Sequence, residues 1–373
     1  FEKDLILSLS YFTPAFSIAC LATVLAIIIL LAERYLMDYG EVELKINDKI
    51  LKVQGGSTVL ATLKQEKIFV PSACGGRATC SYCKVKAISG FGDVLPTEAP
   101  LLTKEDIAQN VRLACQIKIR NNCEIRIPEE LFSIREFKAK VSFIGDLTYD
   151  IKHFRFELMS PSEIDYKAGQ YIQFQSQPYG DIPDSVYRAY SMCGHAVDKN
   201  HVELMVRLVP DGICTTYMFN HLKVGDDVAL TGPYGDFYLR DSDRRMVCIA
   251  GGSGMAPIRS ILLGMSADEI ERRKPIFFFG ARSRKDLFML DEWRDFGIKH
   301  QAFQFVPALS NPDLEDNWDG ATGRITDVVA EGIPDGSNCE GYLCGSPGML
   351  NACVETLCKL GVEKEHIYYD KFA

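Results

Sequence analysis

Long basic runs are missing from this chain, and with a net charge of -9 over 373 residues that absence argues against a nucleic-acid-binding surface. Internal repeats and low-complexity segments are missing too, which excludes a solenoid or a compositional linker as the organising feature. A structural zinc site ordinarily shows two C-x2-C pairs; here Cys80-Ser-Tyr-Cys83 stands alone. A secreted disulfide framework is also lacking. Of thirteen cysteines, those outside one cluster are scattered singly, as reduced thiols in a cytosolic protein are. Finally, there is no G-x-G-x-x-G fingerprint.

What is present begins with an apolar run. Residues 11–32 carry no charge, and as a helix they would span about 33 Å, enough for the hydrocarbon core of a bilayer. The spacing therefore predicts a transmembrane helix at about 11–32 within an N-terminal segment 1–39. A signal peptide is the competing reading. Glu2-Lys3-Asp4 is not a basic region, and no small-residue cleavage site follows before Glu33-Arg34. Lys3 and Arg34 nearly balance, so flanking charge sets no orientation. Beyond this segment, an apolar content of 47% and a charged content of 24% are those of globular protein, and the length predicts two or three domains.

From Glu41 the period changes to two. Strands are expected at 41–46 and 49–53 around an Asn47-Asp48 turn, then a helix capped by Ser57 and running to about Gln65. Next comes Cys74-Gly-Gly-Arg-Ala-Thr-Cys80-Ser-Tyr-Cys83, with a distant fourth cysteine in Arg112-Leu-Ala-Cys115-Gln116. Three thiolates in a loop with two glycines have the spacing of a chain folded around an iron-sulfur cluster, because glycine lets the backbone turn its N-H groups toward sulfur. Zinc is the alternative. Strands at 83–88 and 123–127 complete a small α+β unit, 40–132.

A second block, 133–240, holds short strands expected at 137–143, 154–158, 171–175, 186–193 and 201–209, with one helical stretch at 214–222. That is the pattern of an antiparallel barrel. The third, 241–373, alternates strands (246–250, 276–279, 302–306, 341–344) with helices, which implies a doubly wound parallel sheet. In the barrel, Arg188-Ala-Tyr190-Ser191 lies on a strand and Gly212-Ile-Cys-Thr215-Thr216 opens the helix. A flavin dinucleotide needs a cation and helix N-terminal groups for its pyrophosphate, and an aromatic face for its ring; this block supplies them, with Arg207 on the preceding strand. In the third block, Gly251-Gly252-Ser-Gly254-Met-Ala-Pro257 is a glycine turn between strand and helix, suited to a dinucleotide's phosphates. Cys344-Gly345-Ser-Pro347 closes a later strand at the same carboxyl edge.

These strings, in this order, resemble the ferredoxin-NADP+ reductase superfamily. With a β-grasp ferredoxin in front and a membrane helix before it, the chain resembles the F subunits of Na+-translocating NADH:quinone reductases along essentially its whole length. Leu95-Pro-Thr-Glu98, Gly280-Ala-Arg282-Ser283, Glu315-Asp-Asn-Trp318 and Tyr369-Asp370-Lys-Phe372 add to the match. The resemblance implies that Cys74, Cys80, Cys83 and Cys115 ligate a [2Fe-2S] cluster. It implies that Arg188, Tyr190, Ser191, Arg207, Gly212, Thr215 and Thr216 hold FAD, with Tyr190 stacked on the ring and Ser191 near its hydride-accepting nitrogen. It implies that Gly251, Gly252, Gly254, Pro257, Arg282, Cys344 and Gly345 line the NADH site, with Cys344 by the nicotinamide. Phe372 would cover the other flavin face and Asp370 would poise that region; Ser191, Cys344, Asp370 and Phe372 form the expected catalytic set. Two departures stand out: 175–186 is short where the family carries an insertion, and the chain ends Asp370-Lys-Phe-Ala.

The function so implied is a membrane-anchored NADH dehydrogenase subunit, single-pass in the bacterial inner membrane with its domains facing the cytoplasm. It would pass a hydride from NADH to FAD and single electrons through the cluster to integral membrane redox subunits, as in a sodium-translocating, ubiquinone-reducing complex. Its partners would be NADH, those subunits and membrane lipid, with no nucleic acid. The alternative is the NADH-dependent reductase component of an oxygenase. Arg282 keeps NADPH open, since an arginine there could meet a 2'-phosphate.

Overall fold

The computed structural model describes residues 17–28, 39–72 and 74–371. A first helix, α1, covers 17–28, and every residue of it is exposed. The rest of the predicted membrane span, 11–16 and 29–32, lies outside the described residues. No described helix is long and apolar enough to cross a membrane. The chain divides into two compact units: Phe1–Val70 with Cys83–Glu129, and Pro71–Tyr82 with Glu130–Ala373.

The first unit is built on β1 (Glu41–Ile46), β2 (Lys49–Gln54), α2 (Val59–Gln65), β3 (Lys84–Ser89), α3 (Lys104–Ala108), β4 (Val111–Leu113) and β5 (Cys123–Arg126). Its sheet runs β2-β1-β5-β3-β4, with β1 and β5 parallel and the other pairs antiparallel. The expected β1–β2 hairpin forms, because Asn47 accepts a left-handed φ of 50° in the turn. The expected cap is displaced by one residue: Thr58, not Ser57, accepts from Ala61 N at 3.2 Å. Alternation points Leu44 and Ile46 into a core shared with Val59, Leu63, Leu113 and Ile125, all fully buried.

The second unit opens with a barrel of β6 (Arg135–Asp146), β7 (Ile151–Ser160), β8 (Tyr171–Gln175), β9 (Tyr187–Ser191), β10 (His201–Arg207), α4 (Ile213–Asn220) and β11 (Asp227–Tyr234). The strands run β10-β7-β6-β11-β8-β9, all antiparallel, and a bridge between Met192 and Leu204 joins the two ends. Periodicity alone does not foresee β11, whose Gly232-Pro233 resembles a turn.

After it come β12 (Arg245–Gly251), α5 (Met255–Gly264), α6 (Ala267–Arg273), β13 (Ile276–Ala281), α7 (Leu290–Lys299), β14 (Gln304–Leu309), β15 (Ala321–Thr322), α8 (Ile325–Gly332), β16 (Cys339–Gly345), α9 (Pro347–Lys359) and β17 (Ile367–Lys371). All pairs are parallel, in the order β15-β14-β13-β12-β16-β17. Ile276, Phe277, Phe278 and Phe279 are all buried, as strands covered on both faces require. The order reverses between β12 and β16, and a crevice opens at such a point. Ile151, Cys193, Met205 and Phe237 of the barrel block pack in one apolar cluster with Met246, Cys248 and Ala250 of β12, so the two halves of this unit share a core.

Candidate active site

The loop of Cys74 and Cys80 is shaped by backbone that L-residues rarely adopt. Gly75 and Gly76 have φ of 66° and 88°, and Ala78 and Ser81 have 55° and 58°. Two non-glycine residues held there cost free energy that the surrounding structure offsets. The turn aims amides at sulfur: Cys74 is held below its ordinary thiol value chiefly by a hydrogen bond from Cys80, then by the Thr79 and Arg77 amides against the cost of burial. Cys80, the donor of that bond, is pushed up by it and by burial. This geometry and donor set fit an iron-sulfur cluster. The loop also touches the barrel strand: a Cβ on Gly75 would come within 3.2 Å of Arg188 Nη1 and 3.4 Å of the Tyr187 carbonyl.

Cys83 and Cys115 flank the β3–β4 pair of the first unit, where Ala114 N donates to the Cys83 carbonyl at 2.8 Å. Gln116 Nε2 lies 3.6 Å from Cys115 Sγ. Two strings noted in the sequence meet here. Glu98, fully buried, accepts from Arg112 Nη2 at 2.5 Å and Nε at 3.1 Å, and also from the amides of Leu113 and Leu95. Arg112 Nη1 donates to the Gly92 carbonyl at 2.6 Å. The pair fixes the strand that delivers Cys115, a support role that sequence spacing did not reveal.

On β9, Arg188 and Tyr190 share one face and Ala189 and Ser191 the other. The Tyr190 hydroxyl is enclosed with no hydrogen-bond partner among the described residues, and burial first and the adjacent Cys214 thiol second push it well above its ordinary value. Gly212 precedes α4, and a Cβ there would come within 2.6 Å of Thr215 Oγ1. Thr215 uses its hydroxyl on this turn, accepting from Val209 N and donating to the Gly212 carbonyl at 3.1 Å. Thr216 occupies the next position. The orphaned tyrosine oxygen, the cation and the Cβ-free helix start fit a flavin dinucleotide.

At the crevice, Ala250 and Cys344 are register partners, which brings Gly251 and Gly345 side by side. A Cβ on Gly254 would strike the Cys344 carbonyl, and Gly252 has φ of 55°. Pro257 is buried in the first turn of α5, where its missing N-H is harmless. A cavity of about 800 Å³ lies against this turn, lined by Arg207, Gly251, Gly252 and Arg282 of the expected set, and by Lys285, Ser310, Asn311, Arg324 and Ser346, which were not expected. Its basic and hydroxyl lining and glycine turn fit a dinucleotide. Arg207 Nε is anchored on Asp150 at 2.7 Å.

Three of the four expected catalytic residues converge. Ser191 Oγ donates to Asp370 Oδ2 at 3.2 Å, and Asp370 is the β17 register partner of Cys344. Burial raises the Asp370 carboxyl, the Ser191 bond opposes this, and Asp236 adds to the rise. Burial, then Asp370, holds the Cys344 thiol far above its ordinary value. Tyr82, not anticipated, is raised by burial and then by the charge of Asp370. The fourth, Phe372, lies outside the described residues.

The 2Fe-2S iron-sulfur cluster binding domain family matches residues 44–120, the oxidoreductase FAD-binding domain family 138–238, and the oxidoreductase NAD-binding domain family 248–355. The F subunit of the Na(+)-translocating NADH-quinone reductase of Methylococcus capsulatus is 33% identical, covering 99% of each chain. That of Haemophilus ducreyi is 34% identical over 394 residues, covering 94% of this chain and 96% of its own. Because 394 exceeds 373, that relative carries residues with no counterpart here. Among solved structures, the Amycolatopsis cytochrome P450 reductase GcoB superposes with a TM-score of 0.71 at 28% identity, covering 89% of this chain and 98% of its own. A ferredoxin reductase in carbazole 1,9a-dioxygenase follows at 0.67 and 25%, with the same coverage.

Proposed function

The chain belongs to the family of Na(+)-translocating NADH-quinone reductase F subunits, and from that premise we propose that it is the NADH-oxidising subunit of a membrane redox complex. It is an oxidoreductase that draws electrons from NADH through FAD to a [2Fe-2S] cluster. The observation that carries this reading is the convergence of Ser191, Asp370 and Cys344 at the carboxyl edge of the parallel sheet whose Gly251–Gly252 turn lines a cavity of about 800 Å³.

When bound, the flavin supplies two-electron acceptance and the cluster one-electron carriage. The chain's own residues bind and orient. Cys74, Cys80, Cys83 and Cys115 would hold the cluster, with the domain match over 44–120 as support. Arg188, Thr216 and the amides after Gly212 would receive the flavin pyrophosphate, Thr215 shaping that turn, and Tyr190 would offer its ring face. Gly251, Gly252, Gly254 and Gly345 would let the NADH phosphates and nicotinamide approach backbone, with Arg207 and Arg282 at the phosphates and adenosine. Ser191 and Asp370 would hold a hydrogen bond at the reacting edge, and buried Cys344 would exclude water from it. Phe372 would cover the flavin.

Domain limits of 1–39, 40–132, 133–240 and 241–373 go with this reading. So does a membrane anchor at about 11–32, single-pass in the bacterial inner membrane with the redox domains in the cytoplasm. Its support is the uncharged run and the exposure of Ile18 and Leu21, at 69% and 74%, on α1. The partners would be integral membrane redox subunits. The likeness to reductases of oxygenase systems favours a second reading, a reductase delivering electrons to a soluble oxygenase.

Extraction in mild detergent separates the two. Co-purification with integral membrane subunits bearing redox groups is expected; a soluble oxygenase partner would overturn the membrane reading. Flavin bleaching should be faster with NADH than with NADPH, and the reverse order would correct the donor.

A further inference from the structure

Helix α5 starts at the Gly251–Gly254 turn, and its second turn carries two polar side chains for which the redox reading has no task. Both reach the barrel. Arg259, 14% exposed, donates from Nη1 to the Cys193 carbonyl at 2.6 Å and from Nε to Glu292 Oε1 at 2.7 Å, with Glu203 of β10 at 3.5 Å. Ser260, fully buried, donates from Oγ to the Gly194 carbonyl at 2.8 Å, which also accepts from the Tyr166 hydroxyl at 3.2 Å. Those carbonyls belong to consecutive residues just past Ser191, at the end of the strand that presents Arg188 and Tyr190. The same helix packs tightly on the barrel side: a Cβ on Gly169 would lie 3.0 Å from Ile261 Cδ1.

A metal site is the competing explanation, since His153, Cys193 and Glu203 offer donor atoms within 4.8 Å of one another. Glu203, however, is already taken by His153 Nε2 at 3.1 Å and faces the guanidiniums of Arg259 at 3.5 Å and Arg155 at 3.7 Å. A carboxylate so neutralised attracts a further cation weakly. The acids are better understood as the frame that lets a guanidinium be buried and aimed at backbone oxygen.

We propose that Arg259 and Ser260 are positioning residues for hydride transfer. Helix α5 is a strut: one end forms the dinucleotide turn, and its second turn grips residues 193–194, so the nicotinamide site and the flavin strand are held in fixed register. This rests on the redox reading and adds what sets the approach of the two rings. Transfer needs reacting atoms about 3–3.5 Å apart, and a 1 Å misplacement costs on the order of a hundredfold.

The test uses the full chain carrying flavin and cluster, with R259K, which keeps the charge but loses the fork, and S260A, which removes one hydroxyl. The limiting rate of flavin bleaching at saturating NADH should fall about tenfold in R259K and about threefold in S260A, with the NADH dissociation constant within about twofold of wild type. Amide hydrogen exchange at residues 192–195 should quicken, and the nicotinamide–flavin charge-transfer absorbance should weaken. An unchanged limiting rate with a lowered melting temperature would overturn the proposal, leaving a clamp that only stabilises. A weakened NADH affinity with the limiting rate preserved would overturn it as well. Wild-type flavin that NADH does not bleach would sink the redox reading and this inference together, whereas bleaching that is equal in wild type and variants sinks the inference alone.

Discussion

Between Cys74 and Ser81 four residues take positive φ, and two of them, Ala78 and Ser81, are not glycine. Between Gly251 and Gly254 only Gly252 does. The second turn needs glycine for another reason, since a side chain at Gly254 would strike the Cys344 carbonyl and one at Gly251 would sit 2.9 Å from Met349 Sδ. The cysteine loop is thus bent by its own backbone, a cost that the proposed cluster would offset, whereas the glycine turn is pressed into shape by β16 and α9. One turn takes its shape from its own backbone angles, and the other from what packs against it.

The sharpest way to break that contrast is to remove a sulfur. C80A should leave bleaching of the flavin by NADH intact while lowering reduction of one-electron acceptors beyond the cluster by more than about a hundredfold. If flavin reduction also vanished with the fold intact, the order of carriers would be wrong. G254A tests the other turn: overpacking against β16 should cost about 1–3 kcal/mol in denaturant unfolding and weaken NADH binding by roughly tenfold. The visible absorbance of the cluster should stay unaltered, and its loss would mean that the two turns are not independent. A78G relieves a left-handed alanine worth about 1–2 kcal/mol but adds chain entropy worth about 0.5–1. The loop should therefore release its metal to a chelator about twofold more slowly.

The smallest effect concerns Asp370. Its carboxyl is raised by burial, with Asp236 adding to the rise, so the folded state favours the protonated form. Its stabilising contribution is present below the ordinary carboxylate range and is lost as pH climbs through the raised value. The melting temperature of D370N relative to wild type should then rise from about pH 4 to pH 8, with little difference at the acid end. A flat profile would show that Asp370 stays solvated.

Local periodicity made most strands readable: β1 and β8 have the expected limits, and β13 is a run of apolar residues. The sequence concealed β4, three residues long with an arginine in its centre, and β11, interrupted by Gly232-Pro233. Thiol spacing and the glycine turn were legible because each is a contiguous string. Lys285, Ser310 and Arg324 were not, because three separate loops bring them to one cavity and only the strand order makes them neighbours. Glu98 and Arg112 were both noted, yet their pairing depends on tertiary contact.

The order of the parallel strands has an engineering consequence. Arg282, Lys285, Ser310 and Asn311 hang from the ends of β13 and β14, on the far side of β12 from β16 and β17, where Cys344 and Asp370 sit. On the proposed placement of NADH, coenzyme preference would be retuned by laboratory evolution of those outer loops, with turnover at the ring end left to strands that the mutations never touch.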